Sequence, residues 1–368
     1  MPDIKSVAES FRVAGNFLEA APYGSGHIND TFAVSFRERE RNVRYILQRI
    51  NTAVLQEPEK LMENIDRVCR HAQERLKQEG DADATRRALS LIPTRDGGLV
   101  QRDPDGAYWR GYLFIEGARS HDVVQSVHQA EEAARAFGAF QRLLSGLPGG
   151  PLHETIPNFH NTPQRFERLM EVMRQDCSGR TGQVAEELQF VEARARDTAE
   201  IVDLLVAGEL PERITHNDTK LNNVLIDDRS GEGVCVIDLD TVMQGSALYD
   251  FGDLVRTATN PAAEDERDLS RVCLRLDMFE ALVRGYMKGT ETMLTDLEIK
   301  LLPFAGKLLA LENGIRFLTD HLEGDVYFKI HRKGHNLDRC RTQFALVRSI
   351  ERQMTEMRLI VQSIAPRH

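Results

Sequence analysis

The run His216-Asn217-Asp218-Thr219-Lys220-Leu221-Asn222-Asn223, followed by a short polar turn and an apolar segment ending in Asp238, restricts this chain more than any other feature. Residues 223–227 and 234–238 are β-prone. The six residues between them, Asp228-Arg229-Ser230-Gly231-Glu232-Gly233, are rich in Asp, Ser and Gly, which favour turns. A hairpin there folds back on itself and brings Asn223 and Asp238 to one end. Either half alone is ordinary: an Asp after a His is usually a turn or cap residue, and an Asp at a strand end is usually solvated. The order and joint spacing carry the information.

The spacing is H-x-D-x-x-x-x-N, that of a phosphoryl-transfer loop. In that chemistry Asp218 accepts the proton of an attacking hydroxyl. Asn223 and Asp238 offer an amide oxygen and a carboxylate to Mg²⁺, which prefers hard oxygen donors and completes its shell with phosphates and water. Lys220 neutralises charge on the transferring group, and His216 holds the loop. ATP is the implied co-substrate.

The rest of the chain supplies a frame for that loop. Tyr23-Gly24-Ser25-Gly26 reads as a glycine turn entering a strand, and residues 43–48 read as the next strand. Pro58 opens a helix with Leu61, Met62, Ile65, Val68, Cys69 and Ala72 on one stripe. Residues 108–115 read as a strand ending at Glu116-Gly117, where Gly117 can serve as a hinge. Backbone N–H groups at Gly24, Ser25 and Gly26 can face phosphates because glycine permits close approach. Main-chain groups at Phe114, Ile115 and Glu116 can meet an adenine edge. Beyond Gly117 the pattern is helical: one stripe runs from Ala130 to Leu144, another takes in Leu188, Val191, Ala195, Val202 and Leu205, and the chain is helical again after Asp253. The expected fold class is α+β, a protein-kinase-like two-lobed fold: a β-rich N-lobe over 1–116 and a larger, mainly helical C-lobe over 117–368. A closing stripe of Phe344, Val347, Ile350, Met354 and Met357 packs internally by default, although a subunit contact is the other use for it, so the chain is expected to be a monomer or homodimer.

Composition removes several classes. With 41% hydrophobic and 28% charged residues the chain is globular, and its formal net charge of −10 argues against nucleic acid or an anionic membrane as a partner. No apolar run reaches a membrane span. The five cysteines are scattered without a CxxC pair, as expected of reduced thiols in a cytoplasmic protein rather than of a zinc site.

The loop, together with Ile237-Asp238-Leu239-Asp240 and Tyr249-Asp250-Phe251-Gly252-Asp253, resembles the aminoglycoside phosphotransferase and choline kinase group. Within that group the chain is similar to the N-acetylhexosamine 1-kinases. The stretches behind the narrower likeness are 23–29, 45–48, 215–223, 238–241, 316–318 and 322–328. The resemblance implies Asp218 as catalytic base and Asn223 and Asp238 as magnesium ligands. It also implies His27, Arg316 and Tyr327, with Asp218, as sugar contacts, Asp250 as a brace for the loop and Asp240 as a supporting residue. From the residues alone, His27 reads as structural and Arg316 as a surface ion-pair partner. One departure stands out: the strand position that carries the ATP-phosphate lysine in V-A-I-K is Gln48 here. Arg49 or the metals are left to compensate, and Glu63, the candidate acidic partner on the first helix, is left without a clear role.

The reaction so implied is phosphorylation of the C1 hydroxyl of an N-acetylhexosamine, N-acetylglucosamine or N-acetylgalactosamine, by MgATP. The alternatives are another small-molecule hydroxyl (homoserine, methylthioribose, choline or an aminoglycoside) or a non-catalytic ATP-binding regulator. A single tryptophan, Trp109, speaks against a choline cage. The short 238–250 segment and the lack of an A-P-E motif speak against a protein kinase.

Overall fold

Alternation of apolar and polar residues sets the first sheet. In the computed structural model, which describes residues 3–24 and 28–365, Val34 and Phe36 on one strand and Tyr45 and Leu47 on the next are buried on a common face, while their neighbours are more exposed. Trp109 and Phe11 complete that core. The elements run α1 (Ile4–Glu9), β1 (Asn16–Pro22), β2 (Asp30–Glu38), β3 (Arg41–Arg49), α2 (Pro58–Gln78), α3 (Ala84–Arg87), β4 (Leu91–Ile92), β5 (Gln101–Arg102), β6 (Tyr108–Leu113) and β7 (Ala118–Arg119). Next come α4 (Val127–Leu144), α5 (Thr162–Gln175), α6 (Ala185–Glu192), α7 (Ala195–Val206), β8 (Arg213–Thr215), β9 (Val224–Asp227), β10 (Gly233–Val236) and β11 (Met243–Gly245). The chain ends in α8 (Ala247–Ala258), α9 (Leu276–Thr290), α10 (Asp296–Glu323), α11 (His335–Arg352) and α12 (Met354–Ile364). This is the expected α+β architecture of a kinase-like fold, with an antiparallel sheet early and helices late.

By contact the chain groups into two units. One comprises 1–122, 143–157 and 222–244, and the other 123–142, 158–221 and 245–368. In the first, the antiparallel sheet has the order β1-β2-β3-β6-β4, with β5 also on β6. Helix α2 buries the whole stripe read from the sequence, Leu61 to Ala72. Strand β6 ends at Leu113 and does not reach Ile115. Gly117, at φ +66°, turns the chain into β7, which pairs with β9 in a second small sheet, β10-β9-β7.

In the second unit the 188–205 stripe is two helices, not one. The break falls at Ala193–Arg194, where the Arg194 guanidinium pairs with Glu351 at 2.7 Å and also bonds the Phe190 carbonyl. Ile201 takes the buried position in α7, with Val202 at its edge. The terminal stripe also breaks, at Gln353, and packs internally: Phe344 stacks on Phe190 at 4.6 Å and lies where a Cβ on Gly314 would sit. Helices α8 and α10 cross at Gly252 and Gly306. A Cβ at Gly252 would stand 2.5 Å from the Ala305 carbonyl oxygen, and one at Gly306 the same distance from Val255 Cγ1. That close approach fixes the start of α8, where Asp250 sits. No helix among the described residues is long and apolar enough to cross a membrane.

Candidate active site

The loop after β8 is held from behind. Arg213, at the start of β8, is pinned by Glu298 of α10 through two 2.7 Å bonds. Asp250 lies in the first turn of α8, where the helix dipole favours a carboxylate. Its carboxylate accepts from the His216 N–H at 3.0 Å, the Asn217 N–H at 2.7 Å and the Gln141 amide, and its carbonyl accepts from the Thr219 hydroxyl at 2.5 Å. Burial pushes the Asp250 carboxyl up from its ordinary range, while His216 and these donors pull it down. The His216 ring is enclosed by Phe137 and Phe140, with centroids at 5.3 and 6.0 Å.

Asn217 carries φ +66°, a left-handed conformation that costs a non-glycine residue roughly 1–3 kcal/mol. A second clamp offsets that cost. Buried His160 directs Nε2 to the Asn217 carbonyl at 2.9 Å and Nδ1 to Glu312 at 2.8 Å, and Glu312 also accepts from the Thr162 hydroxyl at 2.5 Å. Both ring nitrogens face acceptors, so this histidine is an imidazolium. Burial opposes its charge, but Glu312 carries its pKa above the ordinary value. Burial likewise opposes the Glu312 charge, and His160 carries that pKa below.

Asp218 follows Asn217 and emerges at the surface of the unit. Its side chain is 25% exposed, and its Oδ1 lies 2.7 Å from Lys220 Nζ. Burial disfavours its charge, yet Lys220, His216 and Arg256 hold the carboxyl below its usual range, which favours the ionised form. Asp218, chiefly, raises the Lys220 pKa, with Asp253 adding to it. Asp253 pairs with Arg256 at 2.7 Å, and its buried Oδ2 has no hydrogen-bond partner.

The same unit holds a cavity of roughly 870 Å³ lined by Arg165, Arg316, Thr319, Tyr327 and Phe328, among others. The Arg316 guanidinium lies 5.4 Å from the Phe159 ring and 5.5 Å from that of Phe328. Asp320 holds the Tyr327 loop by accepting from the backbone N–H groups of Val326, Tyr327 and Phe328. Arg165 is one of four arginines that line this cavity, with Arg168, Arg174 and Arg316. Burial, then the Arg316 charge, lowers its pKa, and its buried Nε has no hydrogen-bond partner among the described residues. Glu312, which holds His160, is one turn from Arg316 on α10, and the Arg316 charge is among those that lower its pKa, so the cavity and the 216–223 loop share one support.

In the other unit β9 and β10 form the expected hairpin. Val224 pairs with Val236, and the Ile237 N–H bonds the Asn223 carbonyl at 2.9 Å, which brings the backbones at Asn223 and Asp238 to its open end. The tip is tied down by Asp227, which accepts from the N–H groups of Arg229 and Ser230 and from Arg86. Asp238 has φ 59° and ψ 63°, left-handed again. Its carboxylate and the Asn223 amide oxygen are hard donors that suit Mg²⁺. No group of three or more His, Cys, Asp or Glu that could hold a metal occurs among the described residues. Asp240 is buried, accepting from Asn29 Nδ2 at 2.7 Å and pairing with Arg110.

Phe114 and Ile115 are buried, and Tyr23 packs on Phe114 at 5.4 Å. Glu116 is a surface residue bonded to Arg44, and its carbonyl accepts from Arg86. Gly24 is at φ +80° with open space around it, whereas Ser25, Gly26 and His27 lie outside the described residues. Glu63 bonds His153 at 2.8 Å. Trp109 is wholly buried, with Nε1 on Asp103, and so lines no cage. Sequence reasoning missed His160, Glu312, Gln141, Arg165 and Arg110. Each acts across more than one hundred residues or carries no local pattern.

Residues 19–273 match the family model of the phosphotransferase enzyme family, APH. The chain belongs to that family. Solved structures agree in fold at low identity. An aminoglycoside phosphotransferase from Alicyclobacillus acidocaldarius has a TM-score of 0.61 at 14% identity, over 99% of this chain and 97% of that one. A microcompartment-associated aminopropanol kinase gives 0.59 at 17%, over 97% and 98%. A spectinomycin phosphotransferase in complex with ADP and spectinomycin gives 0.54 at 11%, over 93% of this chain and 96% of that one.

Proposed function

We propose that this protein is a magnesium-dependent kinase that transfers the γ-phosphoryl group of ATP to a hydroxyl of a small molecule, with the C1 hydroxyl of an N-acetylhexosamine as the favoured acceptor. The observation that carries the phosphotransfer reading is the ionised Asp218, poised at the unit's surface on a loop clamped by Asp250 and His160. The family and the ADP-bound relative support a nucleotide co-substrate. Asp218 accepts the acceptor proton as the new O–P bond forms and the bond from the γ-phosphorus to the β–γ bridging oxygen breaks, releasing ADP. Lys220 offsets charge on the moving group. Asn223 and Asp238 would hold Mg²⁺, which would supply charge neutralisation on the phosphates. The transition state is loose, so placement contributes more than base strength.

The acceptor choice draws on the cavity. Arg165 and Arg316 offer donors to an acceptor there, while Glu167, Glu171, Asp320 and Glu323 line the same cavity and balance the arginine charge. An uncharged, oxygen-rich ring offers acceptors to both guanidiniums and a face for Tyr327 or Phe328. The test is ADP release with a panel containing N-acetylglucosamine, N-acetylgalactosamine, homoserine, methylthioribose, choline and an aminoglycoside, with the phosphorylated position located by NMR. Phosphorylation at C1 of an N-acetylhexosamine, well above the others, is the expected result. Preferred turnover of a cationic acceptor would overturn the sugar assignment and leave the phosphotransfer reading in place.

A further inference from the structure

The lysine missing at Gln48 leaves a question of charge that the neighbouring strand answers. Gln48 on β3 pairs in register with Arg110 on β6. Arg110 is wholly buried. Its Nε donates to Gln48 Oε1 at 2.9 Å, and Gln48 Nε2 donates on to the Thr31 hydroxyl at 3.0 Å. Arg110 Nη1 donates to Asp240. The other oxygen of that carboxylate takes Asn29 Nδ2 at 2.7 Å, and Asn29 Oδ1 takes the Asn51 N–H at 3.0 Å. Arg110 of β6 and Asn29, just before β2, thus meet on the carboxylate two residues beyond Asp238, with Gln48 of β3 behind Arg110. A lysine at 48 would set a second cation beside Arg110, so the neutral amide is what this arrangement needs. Arg49, the other cation at hand, is 46% exposed and 3.5 Å from Asp30 at the sheet's rim.

We propose that Arg110 replaces the strand lysine as the buried cation of the nucleotide site, a positioning residue that acts through Asp240 to hold Asp238 for the metal–phosphate group. This rests on the phosphotransfer reading and deepens it. The left-handed backbone of Asp238 is the strained point such an anchor has to hold. Burial opposes the charge on Arg110, and Asp240 first, with Asp238 contributing, keeps it charged. Among the described residues Nη2 is buried without a hydrogen-bond partner, an unsatisfied donor that calls for a reason.

The test is calorimetric binding of ATP, at a series of Mg²⁺ concentrations, and of adenosine, to the whole protein. In Arg110→Met the Mg²⁺ concentration that half-saturates ATP binding is expected to rise at least tenfold, with adenosine affinity within twofold of wild type. Arg110→Lys should fall between. Gln48→Lys added to Arg110→Met should recover most of the loss, because it returns a cation from the paired position. If Arg110→Met fails to fold, Arg110→Met with Asp240→Asn removes both charges and restores the fold, and the Mg²⁺ defect should persist. Unchanged Mg²⁺ dependence in a folded variant, or equal loss of adenosine and ATP affinity, would overturn the proposal. Wild-type protein that binds adenosine and ATP alike would instead overturn the phosphotransfer reading beneath it.

Discussion

The two functional turns solve the same problem by different means. Asn217 and Asp238 are both non-glycine residues in left-handed backbone, each at or next to a carboxylate that the proposed chemistry uses. Asp250 secures the turn at Asn217 through neutral donors, two backbone N–H groups and the Gln141 amide, and a buried ion pair, His160 with Glu312, holds the Asn217 carbonyl. Two residues beyond Asp238 lies a buried ion pair, Arg110 with Asp240, which the proposal above makes the anchor of that turn. Strain at a site persists when its surroundings over-determine it, and charged and neutral clamps fail differently when cut.

Removing one partner of the charged clamp should cost most. Asp240→Asn leaves the Arg110 guanidinium buried without its carboxylate and is expected to destabilise the fold by about 3–5 kcal/mol, read from urea unfolding. Asp250→Asn keeps the shape but turns an amide donor toward N–H donors. Its expected cost is smaller, about 1–3 kcal/mol. A larger loss for Asp250→Asn would reverse the distinction between the clamps.

Arg316→Ala acts on the acceptor and leaves both clamps intact. Its KM for the sugar should rise about tenfold, roughly 1.4 kcal/mol, with KM for ATP little changed. A defect confined to ATP would move Arg316 out of the acceptor site.

The smallest effect belongs to pH. The His160 pKa is raised in the folded protein, so its contribution is complete below the unfolded value near 6.5 and is lost as pH rises through the folded value. The Glu312 pKa is lowered, so its contribution is present above the unfolded value and is lost as pH falls through the folded one. Wild-type stability should therefore decline on the alkaline side more than that of Glu312→Gln, which lacks the partner that raises the His160 pKa. Identical alkaline profiles in chemical unfolding would remove the imidazolium from the loop's support.

What the sequence disclosed was local. Turn residues between two β-prone segments were enough to place Asn223 and Asp238 at one hairpin end, and the 3.6-residue period was enough to find α2 and its buried face. The break at Ala193–Arg194 escaped notice because Leu188 to Leu205 keeps a helical period across it. A guanidinium bonding the Phe190 carbonyl, supported from Glu351, makes the break, and neither group announces itself locally. The supports of the active site were hidden for the same reason. His160 and Glu312 are 152 positions apart, and Arg110 and Asp240 are 130 apart. Buried charges of this kind look like surface charges until the fold encloses them.

The central claim is that Asp218 takes the acceptor's proton during phosphoryl transfer. Its most direct test is steady-state ADP formation with N-acetylhexosamine by Asp218→Asn beside wild type, with MgATP affinity measured on the same samples. The account predicts a fall in turnover of about 10²–10⁴-fold with ATP binding preserved. Turnover close to that of wild type would contradict it.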